Sequence, residues 1–478
     1  MDRELAQQVA TPQAPGQAGL FSVPNPYPLT LAGLLAALGP QAINFGISVG
    51  GGETMLIPNI ASLGGTRLFW LMTISTVLET VVVYECIKYS MVTGRSFFSM
   101  TRDIKPYGFW PWFWAISALA TFAWPAWLAG ASSAMFKLTG VATYYTWCAV
   151  ALVAVLLVFY FSNVIYRSLS KIFIAVMWIN IVAVMIVVAL IATKDDYLTV
   201  LWGYFNFGIA GYPEGVKLSL AAAILNQPGG SLMWVSFWVL EAGWGMGRYT
   251  GRVTGVLRPP EEINAAVLSW DTSNPEEVRK MQGWVSVGKW SLILWWSVIG
   301  AMFMTFLYAT AGQAYLFKRG IVASGLDVPL QMATIVGGVF GPLAFAIFLV
   351  FLFVTLYDAE FAIYDTFIGR TVTDAIASTP RLRGRHPYRV YYFIVVTVAI
   401  AAGFYLVTLG QPYALWLLVA FLAIIMRSIA AAQILYVNKR HLPAVFKPSA
   451  FNQVVLWFTI VSGFLCASIW GYAYFAGI

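Results

Sequence analysis

The side chains in this sequence best suited to chemistry are carboxylates placed inside long apolar runs. Glu53 closes the segment Gly46-Ile47-Ser48-Val49-Gly50-Gly51-Gly52-Glu53, with Thr54 next. Glu79 and Glu85 share a second apolar run, and Asp358, Glu360 and Asp365 fall in Tyr357-Asp358-Ala359-Glu360-Phe361-Ala362-Ile363-Tyr364-Asp365. A charge in hydrocarbon is expensive, so such a group is kept where it holds an ion, relays a proton or neutralises a neighbour. Glu85 and Lys88 are three apart on one helix face and are expected to pair structurally. Asp358 and Asp365 share a helix face, with Glu360 on another. These three and Glu79 are candidate pathway or coupling residues. The bland alternative for Asp358 is an interfacial pair with Arg370; for Glu53 it is a structural hydrogen bond to backbone donors of the sixth span. Glu241 and Arg248 read as a gate or an ion pair. Both histidines, His386 and His441, sit in loops, and Cys86, Cys148 and Cys466 show no metal-ligand spacing and read as small buried side chains. Any metal site is therefore expected to use oxygen donors, with Glu53 and Asn226 as its candidates.

The backbone around Glu53 is as informative as the carboxylate. Three consecutive glycines each cost about 1 kcal/mol in a helix interior, and a proline about 3 kcal/mol. A second break of this kind, Asn226-Gln227-Pro228-Gly229-Gly230-Ser231-Leu232-Met233, falls five spans later. Both lie at mid-depth of their spans and share a Gly-Gly-x-x-Met pattern (Gly51, Gly52, Met55; Gly229, Gly230, Met233). Backbone groups freed from a helix cannot be satisfied by lipid and must meet protein, water, ion or substrate. Paired interruptions in corresponding halves of a chain point to a midplane binding site. Gly50, Gly51, Gly52, Glu53, Thr54, Asn226, Gln227, Pro228, Gly229 and Gly230 are the expected substrate-binding positions. Kinks or close helix contacts are the competing explanation for small residues in membrane helices.

The elements that must carry these residues are membrane helices. The chain has 478 residues, 60% hydrophobic and 10% charged, where soluble domains carry roughly 25% charged residues; the mean hydropathy is +0.76. About eleven runs reach the ~20 residues needed to cross a bilayer: 30–62, 67–93, 109–139, 143–162, 170–193, 217–246, 284–315, 329–369, 390–409, 412–437 and 453–476. The eighth is too long for one straight crossing, and its last turns are expected to leave the membrane. With the N-terminus inside, only Arg67, Lys137, Lys194, Lys217, Lys318 and Arg319 of the 28 Lys and Arg fall on outer loops or span ends. That bias obeys the positive-inside rule and puts the C-terminus outside a bacterial-type plasma membrane. Trp110, Trp112, Trp114, Tyr144 and Tyr145 suit interfacial belts. The expected organisation is a cytoplasmic segment 1–29 and one transmembrane domain 30–476: a first repeat at 30–193, an inverted second repeat at 217–437 and an extra helix at 453–476. Basic residues confined to short loops argue against nucleic acid as a partner despite the net charge of +8. No catalytic motif or nucleotide loop occurs, so neither an enzyme nor a cofactor is expected. The expected partners are lipid and a small solute or ion, with a monomer sufficing.

From Gly39-Pro40 to Gly94-Arg95, through Leu68-Phe69-Trp70 and Val92-Thr93-Gly94-Arg95, the chain resembles the first two helices of Nramp transporters, and more weakly the rest of that family in span order. The resemblance implies a LeuT-type fold of 5+5 inverted repeats plus one helix, with helices 1 and 6 unwound at mid-membrane. The departures are equally specific. The family's Asp-Pro-Gly-Asn falls on Gly50, Gly51, Gly52 and Glu53, so the metal-binding aspartate is missing. Its Met-Pro-His in the sixth helix is missing too, and no acidic residue occurs between Asp103 and Asp195. Sulfur and nitrogen ligands favour Mn and Fe over hard ions, and here they are absent. The expected function is secondary transport of a small cation by alternating access. A hard divalent ion such as Mg is favoured over Mn or Fe, with oxygens from Glu53, Asn226, Gln227, Ser48 or Thr54. The alternative is a small organic solute such as an amino acid or carboxylate, bound at a half-helix N-terminus. A non-transporting sensor is the third reading.

Overall fold

The computed structural model describes residues 20–225, 231–259, 268–323, 325–382, 384–410 and 412–476. Among them nine helices are long and apolar enough to cross a membrane, and the interrupted first and sixth spans join them. The expected span order holds, and the protein is an all-α integral membrane protein.

Span 1 begins at Leu31–Ala36, where the Thr30 hydroxyl accepts from the Gly33 amide at 3.2 Å. It continues as Leu38–Phe45, a π-helical stretch Gly46–Glu53, and Thr54–Ser62. The glycine triplet therefore does not unwind into extended chain: the break takes the form of a wider winding. One constraint lies at its start, because a Cβ on Gly46 would meet the Phe173 ring at 2.2 Å. Span 2 is a regular helix, Trp70–Thr93, ended by Gly94 at φ 70°. Span 6 consists of Leu218–Ile224, a short 3-10 turn Leu232–Trp234 and Val235–Glu241. The expected break residues Asn226, Gln227, Pro228, Gly229 and Gly230 lie outside the described residues.

Two further interruptions were not expected. Span 3 divides into Phe109–Phe122 and Ala126–Thr139, because Pro125 cannot donate an amide hydrogen bond to the turn before it. Span 8 divides at Gly341, φ 89°, into Gln331–Phe340 and Pro342–Ala362, then runs through a π-helical Ile363–Arg370 to Ser378. At ~1.5 Å per residue, the 37 residues from Pro342 to Ser378 are longer than a ~30 Å hydrocarbon core needs. Span 7 starts earlier than expected, at Pro275, because Asn274 caps it and Pro275 occupies the first turn.

Four indoles in the core each find an acceptor. Trp234 donates to Thr371 at 2.9 Å, Trp238 to Thr366 at 2.9 Å, Trp296 to Ser48 at 2.9 Å and Trp114 to Gln433 at 2.8 Å. Trp114 is fully buried, so it does not belong to the interfacial belt expected for it, whereas Trp112 is exposed. Cys86 and Cys148 are buried free thiols and Cys466 is half-buried. The chain ahead of span 1 is tied down from Leu20 onward: Phe21 bridges Trp270, the Val23 amide donates to Glu277, and Trp284 donates to the Pro24 carbonyl at 2.8 Å.

Candidate functional site

The acidic residues separate into two groups by what surrounds them. One group is held by hydrogen bonds, with one oxygen each of Glu241 and Glu360 left without a partner among the described residues. Glu85 accepts from Lys88 at 2.7 Å, Asn438 at 2.9 Å and Asn452 at 2.6 Å, a structural cluster joining spans 2, 10 and 11. Asp365 accepts from Arg370 at 3.1 Å, Tyr392 at 2.7 Å and Thr366 at 2.8 Å. Arg370 also donates to Glu241, which accepts in addition from the Val253 amide at 3.3 Å. The arginine partner expected for Asp358 thus belongs to Asp365, about two turns further along the span, and Glu241 pairs with Arg370 where Arg248 was the sequence-based suggestion. Glu360 accepts from the Leu128 amide at 3.0 Å. That amide lies in the first turn after the Pro125 break, where helix donors lack intrahelical partners, so Glu360 caps the Ala126–Thr139 half of span 3.

The other group is buried and without hydrogen bonds. Glu53 is 0% exposed and Asp358 1% exposed, and no oxygen of either carboxyl has a hydrogen-bond partner among the described residues. They flank the π-helical stretch of span 1. Asp358 approaches its first residue, with Oδ2 placed 3.4 Å from where a Gly46 Cβ would stand. Glu53 is its last residue, and its electrostatic neighbours are Glu79, Tyr204 and Tyr308. Seven residues separate the two ends, on the order of 10 Å at helical rise, so the two carboxyls do not share one chelate. Among the described residues no cluster of three or more His, Cys, Asp or Glu could hold a metal ion.

Gln41, Asn44 and Ser231, which the sequence reading missed, join the expected Ser48 and Thr54 in the surroundings. Both amide atoms of Gln41, at 0% exposure, lack partners. The Asn44 side-chain oxygen Oδ1 accepts from the Ser231 amide and hydroxyl, each at 2.8 Å, and so ties span 1 to the chain just beyond the span 6 break. Ser48 donates to the Asn44 carbonyl at 3.1 Å and accepts from Trp296, which removes it from the free donor set. Thr54 is buried beside Glu53. The helical spacing Gln41, Asn44, Ser48 was a legible signal: amides and a hydroxyl on one face of an otherwise apolar run.

A third arrangement links this region to span 10. Arg427, 2% exposed, donates to the Ser75 hydroxyl at 2.9 Å and lies 3.9 Å from Glu79. Ser75 in turn donates at 2.6 Å to the Leu225 carbonyl, the last described position before the span 6 break. The Arg427 charge is therefore held between the Glu79 carboxyl and the end of a broken helix.

Solved structures of the Eremococcus coleocola manganese transporter have the same fold. Its complex with an aromatic bis-isothiourea substituted compound aligns at a TM-score of 0.60 and 16% identity, over 93% of this chain and 88% of that one. A mutant of the same transporter aligns at a TM-score of 0.58 and 16% identity, over 94% and 88%. No family model matches the chain, and no curated protein matches it either. The chain has a LeuT-type membrane fold of this kind, reached at low sequence identity.

Proposed function

We propose that the protein is a secondary transporter that moves a small cation, a hard divalent ion such as magnesium ahead of manganese or iron, by alternating access at span 1. The observation that carries this reading is the pair of buried, unpartnered carboxyls at the two ends of the Gly46–Glu53 stretch. An ionised carboxylate in such a place needs a cation beside it. Gln41 adds oxygen, and the surroundings offer no imidazole. An ion that keeps part of its water shell needs few protein ligands, which suits carboxyls too far apart for one chelate.

The reading of a small organic acid as substrate relies on amides freed at a half-helix N-terminus. Span 1 supports it poorly, because the chain stays helical from Gly46 into Thr54–Ser62. The resemblance to a manganese transporter supports a metal ion as cargo. The orientation, N-terminus inside and C-terminus outside, is proposed from the loop charges alone.

The test is flux of magnesium and manganese into proteoliposomes. Glu53→Gln is expected to lower magnesium flux at least tenfold and Asp358→Asn severalfold, with both variants folded. Wild-type protein that moves neither metal, while an amino acid or carboxylate is transported or raises its melting temperature, would overturn the proposal.

A further inference from the structure

A groove of about 930 Å³ lies on the side of the bundle, between span 2, span 7 and the segment that enters span 11. Its walls run along span 2 from Thr73 to Lys88, about 22 Å at helical rise, a large part of a ~30 Å hydrocarbon core. Val77, Val298 and Phe451 on its walls are 46%, 50% and 64% exposed, so the groove faces outward from the bundle.

The wall changes character along its length. Thr80 and Ser297 hydrogen bond across it at 2.7 Å and fix the level of span 2 against span 7. Lys88 stands eight residues beyond Thr80, and Lys289 stands eight residues before Ser297. The two helices run in opposite senses, so both lysines lie at one level, about 12 Å from that contact. Lys447 lines the same groove, and no Asp or Glu does. Lys88 is neutralised by Glu85 behind it. Lys289 and Lys447 are exposed, and neither has an acidic partner within 4.0 Å among the described residues. Lys289 lies within span 7, where an exposed ammonium needs an anion or a path to water, and Lys447 lies in the segment between spans 10 and 11. Ser286 and Gln282, about one and two turns before Lys289 on the same helix, supply further donors.

We propose that this groove is a binding site for an anionic phospholipid. The phosphate is held by Lys289 and Lys447, and an acyl chain lies along the span 2–span 7 seam past Val77, Val298 and Met302. Basic pockets between membrane helices recognise lipid phosphate by charge, while the apolar slot rejects a free anion by leaving most of itself empty.

The experiment uses the full chain in nanodiscs of phosphatidylcholine with and without phosphatidylglycerol, read by native mass spectrometry of retained lipid and by melting temperature. Phosphatidylglycerol is expected to be retained through delipidation and to stabilise the protein, and inorganic phosphate at millimolar concentration is expected to do neither. The double variant K289Q/K447Q is expected to lose about thirtyfold in phosphatidylglycerol affinity, the equivalent of ~1 kcal/mol for each lysine, while melting unchanged in phosphatidylcholine. Equal retention of both lipids, an undiminished preference in the double variant, or full stabilisation by inorganic phosphate alone would each overturn the proposal. If the double variant does not fold, Lys447→Gln alone is expected to lose about fivefold, and an undiminished preference in that single variant overturns the proposal equally.

Discussion

Arg427→Met is the substitution whose consequence follows most directly from the geometry. Arg427 is buried with its Nη1 on Ser75 and 3.9 Å from Glu79, and its Nε has no partner. Methionine of similar length keeps the packing and removes the charge. The Glu79 carboxyl then remains buried without that counter-charge and still faces Glu53. Removing one member of a buried pair costs about 3–5 kcal/mol, because the other charge is left uncompensated. The 3.9 Å separation and the unsatisfied Nε argue for the lower end, about 3 kcal/mol. Glu79→Gln in the same background removes the stranded charge and keeps hydrogen-bonding capacity, so R427M/E79Q is expected to recover most of that loss. The assay is denaturant unfolding in mixed micelles, with the four proteins of the cycle compared at constant slope. A cycle in which the two single effects add to within about 0.5 kcal/mol would refute the coupling.

Two further outcomes follow from contacts outside the proposed permeation route. Glu360→Ala leaves the Leu128 amide uncapped and is expected to cost about 1–2 kcal/mol, whereas Glu360→Gln keeps an acceptor and costs far less; equal melting temperatures for the two variants would remove the capping role. On the helix Lys194–Phe205 between spans 5 and 6, burial alone would raise the Asp196 carboxyl, but hydrogen bonds from Lys318 and from the Thr193 amide and hydroxyl outweigh it and hold Asp196 below the usual carboxylate range. A depressed carboxyl stabilises the fold above its unfolded value and ceases to as acid protonates the folded form. The stability lost in Asp196→Asn is therefore expected to be constant near neutrality and to shrink below about pH 4; a gap that widens in acid contradicts that assignment.

Much of the fold could be read before any coordinate, because lipid leaves few options: every spanning backbone must be hydrogen-bonded within itself, and runs such as Ile165–Ile191 carry that requirement in composition alone. The subdivisions were harder. Pro125 and Gly341-Pro342 lie in runs that stay apolar through the break, so hydropathy does not register them, and the local amide and φ constraints decide. The triple glycine marked the right place in span 1 but not its form, since a π-helical winding and an unwound chain have the same sequence cost. Among the acidic residues, sequence spacing identified the Glu85–Lys88 pair, because that partner is local. It could not divide Asp358 from Asp365, whose surroundings come from Arg370 and Tyr392 on one side and Gly46 on the other. The amide partner of Glu360 was hidden for the same reason: that donor, at Leu128, lies 232 positions away in the chain.

The Glu360 cap has a mechanical consequence. By holding the first turn of Ala126–Thr139, it fastens span 8 to span 3, and the 16-residue step from Asp358 to Asp374 then carries that frame to a second anchor, where Asp374 accepts from Ser96 at 2.7 Å. Asp358 rides on this fastened frame, while Glu53 rides on span 1. On the proposed alternating-access reading, the distance between the two open carboxyls is a gauge of how one frame stands against the other. A spin-label pair on spans 1 and 8 is expected to report that gauge changing with bound cation.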